Sequence, residues 1–388
     1  MTLPDPAQDD VHLRDYRAGT YFRQYRYEAF VPSAVNHGWT WSDPRIHTLL
    51  EEATRALGEL NACSLIVPDV DLFIQLHVVK EASESSRIEG TQTNMDEALR
   101  PVEEIDPERR DDWQEVQNYI EAMHRSIAAL DRLPLSNRLL RDVHKALMQG
   151  VRGEHKQPGE WRQSQNWIGG TSLQDAAFIP PPHHDVPALM SDLEKFWHND
   201  AIHVPHLIRI AISHYQFETI HPFLDGNGRV GRLLITLYLI SNGLLAKPSL
   251  YLSSYFERHR AAYYDAFTTV RGTSDLGHWL RFFLRAVRET ARTGVATFQA
   301  ILRLRADAEH RVLELGQRAG NARRTLTLLY RRPLVTVNDV AEHLEVTHPT
   351  ANRLVGDLVR LGLLRESTGN RRNRRFVFFE YLSLFMPA

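Results

Sequence analysis

Cysteine is almost missing from this sequence: among 388 residues there is one, Cys63. A lone thiol excludes an intrachain disulfide framework and a cysteine-ligated metal centre, and the simplest role for Cys63 is that of a small buried hydrophobe. Long apolar runs are missing too. None approaches the roughly 20 residues that span a bilayer, and the opening stretch MTLPDPAQDDVHLRDYR has no apolar core of the signal-peptide kind. The expectation is a reducing, cytoplasmic setting with no membrane contact. What remains is 43% hydrophobic and 24% charged, without repeats or low-complexity tracts. That is the composition and length of two or three globular domains.

Lysine is absent from the last stretch. From Arg318 onward there are 12 Arg, no Lys and 6 acidic residues, a balance of +6 in a chain of net charge −2, which leaves −8 for the remainder. A mildly acidic body is therefore joined to a basic C-terminal module. Residues up to about Pro44 read as irregular. Helical spacing starts at Arg45 (Ile46, Leu49, Leu50, Ala53, Leu57) and returns over 69–85, 112–130, 137–148, 186–197, 204–219, 229–241, 255–271 and 276–288. A run from 285 to about 315 reads as a connector. Glycines, aromatics and β-formers between 153 and 182 predict the body's hairpin.

Residues 221–232 read HPFLDGNGRVGR. An apolar helix leads to His221-Pro222, where proline disfavours continuation. Asp225-Gly226-Asn227-Gly228 make a tight polar turn, and a new helix begins near Arg229. The two glycines let backbone N–H groups approach an anion, and the new helix aims its positive end at the same spot. Arg229 and Arg232 share one face of its first turn. Cations there oppose the helix dipole at roughly 0.3–1 kcal/mol each, which makes sense if an external polyanion completes the site. Asp225 suits Mg²⁺, which takes one or two carboxylates plus phosphate oxygens. His221 suits a general base. A plain glycine turn with surface arginines is the bland alternative, and it leaves most of these residues without a role.

The segment matches, without departure, the signature HPFx(D/E)GNGRxxR, and up to about residue 290 the chain resembles the Fic (Fic/DOC) family. The resemblance implies a mainly α fold, a Fic-type helical bundle with a β-hairpin flap. The implied activity is transfer of AMP from ATP to a hydroxyl of a target protein. His221 would deprotonate that hydroxyl and Asp225 would bind Mg²⁺. Gly226, Asn227 and Gly228 would form the anion nest, with Val230 and Gly231 completing the ATP-binding turn. Arg229 would contact the phosphates and Arg232 would clamp the γ-phosphate, while Phe223 holds the loop in the core. Upstream, Ser85-Ser86-Arg87-Ile88-Glu89-Gly90, continued by Thr91-Gln92-Thr93, matches the family's inhibitory motif (S/T)xxxE(G/N). It implies autoinhibition, with Glu89 taking Arg232 away from the γ-phosphate. The stretch from Gly159-Glu160-Trp161-Arg162 to Phe178 sits where the family carries its flap, so that Asn166, Trp167, Ile168 and Gly169 border the ATP site; packing is an equal reading for Trp167. Tyr263 matches a position near the adenine, with core packing left open for it, and Arg271 is a further candidate. His183-His184 and His214 lack a third ligand at metal spacing and read as structural or surface histidines.

From about 322 the pattern is helix (325–330), a second helix after Val335-Thr336 with a Thr or Asn cap, a third (348–361), then an arginine-bearing loop (367–375) and Phe376-Val377-Phe378-Phe379. Three helices and a hairpin are the winged helix-turn-helix plan, with Asn352 and Arg353 on its recognition helix. The expected division is 1–110 (helical region with the inhibitory helix), 111–290 (Fic catalytic domain), 291–320 (connector) and 321–388 (winged helix). The winged module suits DNA contact, protein docking or homodimerisation. Two other functions stay open: a nucleotide-responsive transcriptional regulator, and removal of AMP at the same site with Glu89 orienting water.

Overall fold

The computed structural model describes residues 10–24, 26–67, 69–151, 155–369 and 374–386. Of the arginines expected in the wing, Arg371 and Arg372 lie outside the described residues, as do Pro68 and Gly153. The chain opens with β1 (Val11–His12), an antiparallel hairpin of β2 (Gly19–Arg23) and β3 (Glu28–Pro32), and β4 (Trp39–Thr40) parallel to β1. This corrects the expectation of an irregular start. Cross-strand pairs of aromatic and β-branched residues, Tyr21 opposite Phe30 and Thr20 opposite Val31, stabilise the hairpin.

Helices follow: α1 (Pro44–Ile66), α2 (Val70–Ile88), α3 (Met95–Ala98), α4 (Arg110–Ala129), α5 (Asn137–Leu147), α6 (Val186–His198), α7 (His206–Ile220), α8 (Asn227–Ser241), α9 (Ser253–Arg258), α10 (Arg260–Thr273) and α11 (Leu276–Leu313). Asp43 caps α1 by accepting the Arg45 N–H, with Pro44 at the first helical position. Its stripe Ile46, Leu49, Ala53, Leu57 and Leu60 packs along α11. α11 is one 38-residue helix where two were expected. Its apolar face (Trp279, Phe283, Val287, Ala291, Phe298, Ile301) keeps helical phase through the overlap, so nothing interrupts it. α7 and α8 are buried almost all round, as helices without a polar face must be. Cys63, expected to be buried, is half-buried on α1. Among the described residues no helix is long and apolar enough to cross a membrane.

The expected flap hairpin is reduced to one antiparallel bridge, Ile168 with Phe178. Gly169 and Gly170, both left-handed, turn the chain immediately after it, and Pro180-Pro181-Pro182 have no N–H to extend a ladder. Pairing passes instead to the N-terminal hairpin, where the Phe30 N–H donates to the Ile179 carbonyl at 2.9 Å.

The C-terminal segment has α12 (Ala319–Arg331), β5 (Leu334–Thr336), α13 (Val337–Leu344), α14 (His348–Arg360), β6 (Arg365–Glu366), β7 (Arg375–Val377) and α15 (Phe379–Ser383), with strand order β5-β7-β6. Thr336 and Asp339 form a capping box at the start of α13. This unit packs on α2: Phe73 meets Tyr330 edge-on at 5.4 Å and Tyr381 at 6.3 Å, and His77 meets Phe385 at 4.8 Å. One helix therefore touches the winged segment near its start and carries Ser85 at its other end.

Phe73 is 0% exposed and Leu65 is 63% exposed. Phe73→Ala is expected to lower unfolding free energy by about 3–5 kcal/mol, and Leu65→Ala by less than about 0.5 kcal/mol. Urea unfolding of the two variants checks the contrast; equal losses would place the junction elsewhere.

Candidate active site

α7 ends at His221, whose φ of 50° is left-handed. That conformation costs a non-glycine residue about 1–2 kcal/mol, so its surroundings must impose it. The next turn is held through the backbone of Phe223. Asn227 Oδ1 accepts the Phe223 N–H at 2.8 Å, while Asn227 Nδ2 and Asn166 Nδ2 both donate to the Phe223 carbonyl at 2.8 Å. The Phe223 ring stacks on His144 at 3.8 Å. His144 Nδ1 accepts the Gly159 N–H, so its Nε2 carries the proton and donates to the Asp225 carbonyl at 3.0 Å. Gly226 then caps α8 at φ 74°, a left-handed position that favours glycine. The result is a rigid loop ending at a helix N-terminus, which presents orphan N–H groups and positive potential.

Two arginines rise from the first two turns of α8, both buried. Arg229 faces Glu115 at 3.3 Å and lies 3.9 Å from Asp225. Glu115 also accepts the Thr91 hydroxyl at 3.0 Å, which ties the segment after α2 to the loop. Arg232 is gripped by the end of α2: Nε donates to Ser85 Oγ at 2.8 Å, and Nη2 donates to the Ser85 carbonyl at 2.9 Å and to Glu89 Oε1 at 2.7 Å. A Cβ on Gly228 would stand 2.2 Å from that Oε1, so a larger residue here would push the carboxylate out of its present position. Burial works to raise the Glu89 pKa, but the Arg232 charge prevails and holds it below the usual range. Burial lowers His221 to about 4, with Arg162 adding to the effect. Its imidazole is therefore unprotonated at neutral pH and able to take a proton.

The remaining candidates fall into place unevenly. Asp225 accepts the Gly226 N–H at 2.6 Å and its side chain is 49% exposed. A half-exposed carboxylate fits Mg²⁺, which keeps waters and phosphate oxygens among its ligands. Val230 is 0% exposed and its N–H bonds Gly226, so it belongs to the core. The Gly231 carbonyl accepts from His214 Nδ1 at 2.9 Å, and His214 Nε2 takes the Tyr263 hydroxyl at 2.8 Å. Tyr263, 1% exposed, is thus a core residue in an aromatic cluster. Its neighbour Tyr264 is 39% exposed, and burial beside Glu89 pushes its hydroxyl to about 12. Ile168 and Gly169 lie in and beside the flap bridge, and Trp167 is 40% exposed. Arg271 stacks over Phe178 at 3.8 Å. Sequence reasoning missed Glu115, His144 and Glu218. Glu115 and His144 lie on helix faces that read as ordinary amphipathic pattern, Glu218 lies on the fully buried α7, and none of the three has a local motif to mark it.

A buried helix start with a neutral histidine, a carboxylate and two arginines is a geometry suited to binding an anion on a helical scaffold. The family models described as Fic/DOC family N-terminal and Fic/DOC family match residues 47–128 and 134–239, and the MarR family model matches 319–373. The chain thus carries Fic/DOC family N-terminal and Fic/DOC family domains followed by a MarR-family winged-helix region. It is similar to the protein adenylyltransferase Fic of Culex quinquefasciatus, 31% identical over 152 residues, 39% of this chain and 27% of that protein. A probable protein adenylyltransferase of Aquifex aeolicus (strain VF5) is 41% identical over 88 residues, 23% of this chain and 26% of that protein. The chain thus spans about a quarter of the length of these curated relatives. A Fic family protein from Desulfovibrio desulfuricans G20 shares the fold, with a TM-score of 0.55 at 21% identity over 87% of this chain and 96% of that one. So does a Fic domain containing signaling protein from Bacteroides thetaiotaomicron VPI-5482, with a TM-score of 0.51 at 18% identity over 64% of this chain and 96% of that one.

His77, His144, His214 and His221 are lowered, chiefly by burial, from 6.5 to about 3, 4, 3 and 4. The unfolded chain therefore binds up to four more protons than the native one between pH 6.5 and 4, and stability falls as pH drops through that window. Glu81 and Glu218, raised by burial, oppose this with at most one proton each. A lower urea midpoint at pH 5 than at pH 7.5 is expected; equal midpoints would mean that these rings are solvated.

Proposed function

We propose that this chain is a protein adenylyltransferase, moving AMP from ATP to a Ser, Thr or Tyr hydroxyl of a target protein, and that Glu89 keeps it inhibited. The observation that carries the reading is the grip of Ser85 and Glu89 on Arg232 (2.7 Å to the carboxylate). An arginine at a phosphate-binding helix start is otherwise the natural clamp for a terminal phosphate.

In the proposed reaction the triphosphate lies across the α8 N-terminus, with Arg229 and Arg232 on its outer phosphates. His221 takes the proton of the target hydroxyl, whose oxygen attacks the α-phosphorus. The bond to the β-phosphate oxygen breaks and pyrophosphate leaves, its charge held by the arginines and helix N–H groups. Mg²⁺, held by Asp225 and phosphate oxygens, would neutralise further charge on the leaving group. While Glu89 occupies Arg232, the γ-phosphate lacks its clamp and ATP lies in an unreactive pose.

A cytoplasmic setting and a homodimer belong to the same proposal. A second reading, a nucleotide-responsive transcriptional regulator, is favoured by the MarR family match and by the exposed Thr347, His348, Thr350, Asn352 and Arg353 around α14. DNA duplex is the partner that surface suits; a band shift that weakens steeply with salt supports it.

Parent, Glu89→Gly and His221→Ala proteins incubated with Mg²⁺ and α- or γ-labelled ATP decide the main reading. Glu89→Gly is expected to raise α-label transfer severalfold or more, and His221→Ala to abolish it. Equal transfer by parent and Glu89→Gly would remove the inhibitory role, and label from the γ position would make the chemistry kinase-like.

A further inference from the structure

Arg162 is 1% exposed, and among the described residues no carboxylate pairs with it. Its guanidinium donates instead to four backbone carbonyls. Nε donates to His221 at 2.9 Å, Nη1 to Ser164 at 3.3 Å, and Nη2 to Ile220 at 3.3 Å and to Pro181. Its own N–H donates to the Pro222 carbonyl at 2.9 Å. One residue thus holds three consecutive carbonyls, 220 to 222, and both arms of the flap.

A buried cation ordinarily needs an anion. Here the carbonyl end of α7 supplies partial negative charge from its last unpaired C=O groups. The planar fork satisfies four acceptors at once, which a lysine ammonium with three donors does not. Between Ile220 and Pro222 stands His221, in the left-handed conformation that its sequence alone does not favour.

We propose that Arg162 is the positioning residue for the base: it fixes the left-handed His221 backbone from which the imidazole faces the reacting hydroxyl. This rests on the reading of His221 as the base. Arg162 also acts on His221 through its charge. The charged groups around that imidazole are Arg162, Glu89 from the end of α2 and Asp225 from the loop, with Arg229 and Arg232 on α8 and Glu218 on α7. Arg162 disfavours the imidazolium, while Glu89 and Asp225 favour it. Removing the Arg162 charge must therefore move His221 back toward its ordinary pKa.

The test uses the full chain carrying Glu89→Gly, with Arg162→Gln and Arg162→Lys compared against it. His221 is titrated by NMR on histidine-labelled protein and assigned by its loss in His221→Asn. Arg162→Gln is expected to raise the His221 pKa by about one unit or more. It should also lower kcat by about 10²-fold, the scale of a small misplacement of a catalytic group, with KM for ATP within about threefold. Arg162→Lys, which keeps the charge and the fold but loses part of the fork, should leave the titration near the parent and still lower kcat. An unchanged kcat in Arg162→Lys overturns the proposal. So does a loss spread equally over kcat and KM with the His221 titration unmoved. If the Glu89→Gly protein transfers no AMP at all, the functional reading fails; the titration still reports whether Arg162 governs His221.

Discussion

The buried guanidinium of Arg232 is the constraint around which the rest is arranged. A charge taken out of water costs several kcal/mol unless it is paired, so this side chain favours any state that gives it a negative partner. Ser85 and Glu89 provide one from the end of α2. Glycine at 228 makes room for the carboxylate, and Gly90, at φ 101°, lets the chain leave the helix just beyond it. A phosphate arriving at the α8 N-terminus would meet the same guanidinium. Under the proposed function the two anions would compete for one cation, and inhibition would need no further moving part than the exchange of one for the other.

His221, the proposed base, is held by a different means, burial and backbone strain. Asn166 and Asn227 lock the Phe223 amide plane, His144 holds the Asp225 carbonyl, and Arg162 binds the carbonyls of Ile220, His221 and Pro222. Most of these contacts are side chain to main chain. They fix the path of the loop while leaving its helix-start N–H groups for a ligand. The neutral state of His221 follows from the same enclosure.

How much of this was legible in the sequence depends on whether a contact is local. His221, Asp225, Gly226, Arg229 and Arg232 lie within twelve residues, so the turn, the helix start and the shared arginine face could be read directly. Glu89 and Ser85 were found through a motif 143 and 147 residues away from Arg232. Glu115 carried no such mark: it reaches Arg229 across 114 positions from an unremarkable face of α4. Arg162 was in view, within Gly159-Glu160-Trp161-Arg162, but a buried arginine paired with carbonyls leaves no acidic partner in the sequence to suggest its role. The flap misled because aromatic and β-branched content predicts extended backbone, whereas ladder formation needs N–H donors that three prolines lack. Tyr263 and Tyr264 are adjacent and chemically alike, and only packing shows which one the His214 cluster takes.

The competition for Arg232 is read most directly by calorimetric binding of ATP and ADP to parent and Glu89→Ala proteins. If Glu89 holds the arginine, the parent gains little from the third phosphate and binds the two nucleotides about equally. Glu89→Ala then prefers ATP by roughly 10- to 100-fold, the worth of about 1.5–3 kcal/mol for a charge-assisted hydrogen bond. The same preference for ATP in both proteins would contradict the account, because the γ-phosphate would then reach its clamp with Glu89 in place.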